Sequence, residues 1–228
     1  MTRCRALTAF RDLLRARSGV ATIEFALSVP LLLSVGLWGV ETANVAMVHM
    51  RINQLATQIA DNASRIGDTS QLSNRKIYES DIDDILAGAN IQSGNIGLFD
   101  HGRVIISSLE VVPGEADQQY IHWQRCMGAK DVTSAYGGEG TGLGGGLSGM
   151  GPAGDEITAS KGDAVMFVEV TYDYQPIVSK LFTAAKTIST TAAFNVRDSR
   201  DLTQIYQRDP NNPDRVASCD VFEGYPKT

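Results

Sequence analysis

Glu24 is the residue whose placement most needs an explanation, because it is the only charge in the run VATIEFALSVPLLLSVGLWGV, 21 residues from Val20 to Val40. A carboxylate near the centre of a bilayer costs about 2.5 to 3.5 kcal/mol on insertion scales, less near the edge, so a compensating partner or an outlet to the headgroups is required. The other groups that could do chemistry make poorer cases. Gly140, Gly142 and Gly145 formally spell G-x-G-x-x-G. A dinucleotide site needs a strand before that motif and a helix N-terminus after it, whereas here more glycine and then Pro152 come next. His49, His101 and His122 lie on separate segments with no i, i+4 partner of the kind zinc hydrolases use. Asp81, Asp83 and Asp84 lack the glycine and the distal glutamate of a calcium loop and read better as acids at a helix N-terminus. No serine stands in G-x-S-x-G, and no nucleophile can be paired with a base by spacing. Neither a metal nor a cofactor is expected, nor an enzymatic activity.

The elements around Glu24 decide what it is for. A helix of 21 residues spans roughly 31 Å, enough to cross a bilayer. Ahead of it stand Arg3, Arg5, Arg11, Arg15 and Arg17 against Asp12, a +4 stretch, and the next Lys or Arg is Arg51. The positive-inside rule then puts the N-terminus in the cytoplasm and exports the chain beyond residue 41. A cleaved secretory signal has the same basic and apolar regions, but ETANVAMVHM after the run offers no convincing A-x-A site. Without residues 1 to 19 the chain holds 15 basic and 25 acidic residues, a net charge of -10, so it offers no basic face for nucleic acid. Cys4, Cys126 and Cys219 show no CxxC spacing. With Cys4 in the cytoplasm, Cys126 and Cys219 form an even set on the oxidising side, and a disulfide between them is expected.

Past the apolar run, Val45, Val48, Ile52, Leu55, Ile59 and Ile66 recur in steps of three and four apart from the last, with Asn62 as a polar intruder. Anchor and stripe are expected to form one helix over residues 20 to 66, stopped at Gly67 and roughly 65 to 70 Å long. Pro30 should kink or locally unwind it near Ala26. One or two short helices are expected between Ser70 and Gly88. Strands are expected over Arg103–Val112, Gln119–Cys126, Ala164–Tyr174 and Thr187–Arg197, rich in β-branched and aromatic residues. Ten of the eighteen residues from Gly137 to Gly154 are glycine, which predicts a flexible loop. The fold class is α+β, a long helix packed on a small antiparallel sheet. Its domains are a basic leader over 1 to 19, the helix over 20 to 66 with the anchor at about 20 to 40, and an exported head over 67 to 228.

The string RARSGVATIEFALSVPLLLSV resembles the N-terminus of TadE/TadF-like pseudopilins, minor pilins of the tight-adherence (Flp) type IV pilus. The resemblance covers about residues 11 to 45. It implies that a membrane prepilin peptidase cuts after Gly19, making Val20 the first mature residue and Glu24 the fifth. It also implies that the apolar helix polymerises, with Phe25, Pro30 and Leu31 in subunit packing and Glu24 paired with the freed amine of a neighbouring subunit's Val20. The partners so implied are the peptidase, other pilin and pseudopilin subunits and the bacterial inner membrane, with the head in the periplasm or, after assembly, at the cell surface. Two alternatives stand beside a minor pilin. One is a pilin-like adhesin or tip module whose contact region is the glycine loop with Tyr120, Trp123 and Tyr136. The other is an unprocessed bitopic accessory protein of a secretion system.

Overall fold

The computed structural model describes residues 18–67, 75–180, 185–197 and 200–226. Helix α1 (Ser18–Ala63) is followed by α2 (Glu79–Ser93), a 3-10 turn (Gly94–Ile96), the short α3 (Leu98–His101), and strands β1 (Gly102–Val111), β2 (Gln119–Met127), β3 (Ala164–Asp173) and β4 (Thr187–Asn195). The strands form one antiparallel sheet in the order β2-β1-β3-β4. This is the α+β arrangement the sequence implies, and each strand lies within two residues of its expected bounds. The chain divides into two compact units. One holds α1 up to Asn44 with the segment beginning at Pro176; the other holds the chain from Val45 to Gln175 and the residues from Ala184 onward.

In the second unit the sheet is buried on both faces. Val48, Ile52, Leu55 and Ile59 of α1 share a core with Ile82 and Leu86 of α2 and with Val104, Ile106, Met166 and Val168 of the sheet. Alternation along the strands sends Leu109, Val165 and Phe167 to the opposite face, where Met150 and Leu147 of the glycine-rich segment cover them. A shift of register between Ser108 and Leu109 lets Trp123 and Ile121, two residues apart, point to opposite faces.

Three expectations need correction. The stripe on α1 runs through Ala56, Ala60 and Ala63, all buried, while Asn62 is exposed and lies beside the stripe rather than in it. A 3.6-residue helix drifts from a 3.5-residue stripe, so the buried line moves on to small residues that an apolar pattern overlooks. The helix ends at Ala63, before Gly67, because Arg200 reaches its last turn: Nη1 donates to the Ala63 carbonyl at 3.1 Å and Nη2 to the Ser64 carbonyl at 2.6 Å. A buried guanidinium on otherwise orphaned carbonyls acts as a C-terminal cap and favours the helix dipole. The second helical region begins at Glu79 and runs to Ser93, past Gly88, while residues 68–74 lie outside those described. Its start is set by Asp81, whose carboxylate accepts the Tyr78 N–H at 3.1 Å, and by Glu79, which takes a bidentate ion pair from Arg125 of β2 at 2.6 to 3.2 Å.

The glycine-rich segment is a chain of turns pinned to β2. Ile121 N–H donates to the Thr141 carbonyl at 2.9 Å, Gly140 N–H returns to the Ile121 carbonyl at 2.7 Å, and Gln118 Nε2 holds the carbonyls of Gly142 and Leu143. Gly142 has φ +97°, and a Cβ there would collide with the Gln119 carbonyl oxygen. The glycines are used for close approach to a strand edge.

Candidate functional site

The N-terminal half of α1 is built unlike any other part of the molecule. Val20, Phe25, Leu27, Leu31, Leu32, Leu33, Trp38 and Val40 are each more than half exposed. Their helix is long and apolar enough to cross a membrane. An uncovered apolar surface of this extent marks a segment that meets lipid or another protein. Phe25 is 69% exposed and Leu31 66%, and Pro30 is exposed as well, so among the described residues none of the sequence-derived packing residues is covered; Val20 is 51% exposed.

Pro30 sits within a helix that continues without interruption on both sides, so the local unwinding expected near Ala26 does not occur. Ser28 Oγ donates to the Glu24 carbonyl at 2.6 Å and Ser34 Oγ to the Pro30 carbonyl at 2.7 Å. Both hydroxyls bond a carbonyl one turn back, satisfying their own polar groups within the helix. Gly19, Gly36 and Gly39 have nothing within 4 Å of where a Cβ would stand. Glycine in a helix interior costs about 1 kcal/mol relative to alanine, and among the described residues no packing neighbour offsets it at Gly36 or Gly39.

The carboxylates of the molecule separate by how they are satisfied. Glu79 is answered by Arg125. Glu41, 1% exposed at the end of the apolar run, accepts the Val178 N–H at 2.8 Å. Among the described residues nothing hydrogen-bonds or ion-pairs with the Glu24 carboxylate, while the arginines of the leader lie outside the described residues.

Cys126 and Cys219 are joined, with Cα atoms 4.7 Å apart. The bond fastens the C-terminal tail across the outer edge of β2, where the Cys126 N–H donates to the Ala217 carbonyl at 2.8 Å. Sequence reasoning missed Arg103, 1% exposed, which donates to the carbonyls of Gly128, Cys219 and Val221 at 2.6 to 3.0 Å and lies 4.1 Å from the Phe222 ring centre. The only signal for it is an arginine opening a run of apolar residues, RVII.

A separate polar group lines a cavity in the head. Glu110, buried beneath a cavity of ≈ 540 Å³, accepts from Ser108 Oγ at 2.7 Å and from His122 Nδ1 at 3.0 Å. The hydrogen bond to Glu110 holds the His122 pKa above its ordinary value against the opposing effect of burial, and burial with the nearby Glu110 charge pushes Tyr120 up to about 12. Ser108 is fully buried and gives its proton to the carboxylate, not to the imidazole, so the three residues do not form an activated nucleophile. His49 and His101 lie on α1 and α3, away from this pair in the chain, and the described residues contain no cluster of His, Cys, Asp and Glu suited to a metal. Tyr120 and Trp123 are buried, and Tyr136 packs edge-on to Phe167 at 5.2 Å on the face opposite Trp123. These three aromatics therefore do not make one contact region.

The fold and its bare helix define a class: an α+β head with an N-terminal helix of membrane-crossing length. Residues 19–61 match the family model described as TadE-like protein, so the chain carries a TadE-like segment that begins at Gly19 and ends within α1. No curated protein and no solved structure matches the chain significantly.

Proposed function

We propose that the protein is a minor pilin or pseudopilin of a tight-adherence pilus, a structural subunit and not an enzyme, cut by a prepilin peptidase between Gly19 and Val20 and assembled through α1. The observation that carries this reading is that the TadE-like match starts at Gly19 on a helix whose apolar side chains are uncovered. The helix stands in the inner membrane with the head in the periplasm until assembly. In the filament Phe25, Pro30 and Leu31 meet neighbouring subunits, and the new ammonium of one Val20 faces the Glu24 carboxylate of another. Each charge then relieves the burial cost of the other and fixes axial register.

One feature favours cleavage at this bond: among the described residues nothing lies within 4 Å of where a Gly19 Cβ would stand. The test is a pair of variants. Gly19→Leu should leave the full-length band on a blot, because a side chain blocks close approach of the peptidase to the backbone. Glu24→Gln should give the shorter band with few filaments. A protein that still begins at Val20 in Gly19→Leu, or normal pili in both variants, would overturn the proposal.

A further inference from the structure

Five residues of the first unit lie close to the end of the apolar run, and they come from two distant parts of the sequence. The run ends at Val40, and Glu41 is the next residue. The Glu41 carboxylate receives the N–H of Val178, so the loop that leaves β3 is tied to α1 at the level where a membrane span would emerge. Ile177, the neighbour of Val178, is 63% exposed, although a loop isoleucine gains nothing by facing water. Trp38, one turn before Glu41 and 58% exposed, is the residue type enriched at membrane interfaces. Lys180 is exposed two residues beyond Val178.

We infer that the loop Pro176–Lys180 is a second membrane-contact element, seated in the headgroup layer with Ile177 in the outer acyl region and Lys180 toward lipid phosphates. The inference rests on the reading of residues 20 to 40 as a membrane span, and it adds a contact that this reading does not require. Continuity with the span selects lipid as the occupant. A loop bonded to the residue that ends the span cannot stand clear of the interface, and its exposed groups are an apolar side chain and a cation, a pairing that suits an anionic lipid surface. The bond from Val178 also places a donor on the buried Glu41 carboxylate. The loop thus gives the subunit a second hold on the bilayer before it is taken into a filament.

The full chain in phosphatidylethanolamine and phosphatidylglycerol vesicles tests this. With Cys4→Ser as background and the disulfide intact, an environment-sensitive dye is placed in turn on Ile177→Cys, Leu32→Cys and Gly114→Cys. Gly114 lies in the turn between β1 and β2. The register of Gly102 with Tyr172 and of Glu110 with Ala164 puts that turn at the opposite end of the sheet from the end of β3. The label at 177 should be quenched by headgroup nitroxide lipid and be several-fold less accessible to aqueous iodide than the label at 114. If 32 is quenched by acyl-chain nitroxide while 177 is as open to iodide as 114, the loop does not touch the membrane and the span reading stands. If 177 is shielded from both quenchers, a protein surface covers it and the lipid assignment is wrong. A label at 32 that meets iodide removes the span and this inference together.

Discussion

The two halves of α1 are one continuous helix with opposite relations to the rest of the chain. From Val45 onward its apolar stripe is closed over by α2 and the sheet, with Ile52, Ala56 and Ala60 fully buried, while Met47 and Met50 on the other side stay more than half exposed. From Val20 to Val40 the large apolar side chains stand open, and the carboxylate among them has no partner in the described residues, whereas Glu79 in the head has Arg125. Burial of apolar area stabilises at ~25 cal/mol per Å², so the second half already has that energy inside one subunit. The first half can gain it only from outside. A helix of this kind is stabilised by its own chain at one end and by its surroundings at the other.

The sharpest way to break this comparison is to loosen the head without touching the bare half. Replacing Cys126 and Cys219 by serine frees a loop whose ends are 93 residues apart, for which the chain-entropy treatment gives ~4 to 5 kcal/mol. Urea unfolding followed by tryptophan fluorescence should show a loss of that order, while membrane extraction still finds the protein in the bilayer. Next comes a matched pair on the helix itself. Ile52→Ala should destabilise the head by about 2 to 5 kcal/mol through transfer and cavity terms. Leu32→Ala should leave head stability within about 0.5 kcal/mol of the parent, because no contact of the head is removed. Equal losses from both would mean that the two halves are not energetically distinct.

The smallest expected effect is electrostatic and confined to the head. The His122 pKa is raised in the folded state, chiefly by its hydrogen bond to Glu110. The stabilisation it supplies is therefore fully present below the unfolded histidine value, about 6.5, and is lost as pH rises through the higher folded value. Unfolding free energy should fall over that window by on the order of 1 kcal/mol, the net scale of one hydrogen bond, and the midpoint with it. His122→Gln should flatten the fall. A parent protein whose midpoint rises over the same window would show that the pair does not stabilise the head.

Periodicity made the regular elements legible. The four strands stood out because β-branched and aromatic residues cluster between turn residues, and the α1 stripe because apolar residues recur at helical spacing. The alanines of α1 escaped notice because small residues mark a close-packed helix face only once a partner is known. The glycine segment misled for a related reason. Composition reports its low intrinsic order, while its order comes from the unpaired edge of β2, which accepts and donates at Ile121.

Local chemistry along the chain determined the uncovered apolar run and the carboxylate within it, because hydrophobicity and length are properties of consecutive residues. It also determined the strands, whose side-chain alternation is a property of consecutive residues. Tertiary structure alone decided the long-range polar contacts: Arg200 on the end of α1, Arg125 with Glu79, Arg103 beneath the tail, and Val178 on Glu41. These partners are 46 to 137 residues apart. A buried charge is tolerated only where groups of the opposite hydrogen-bonding sense meet it, acceptors for an arginine and donors for a carboxylate, and that meeting is a property of the packed chain which no stretch of sequence contains.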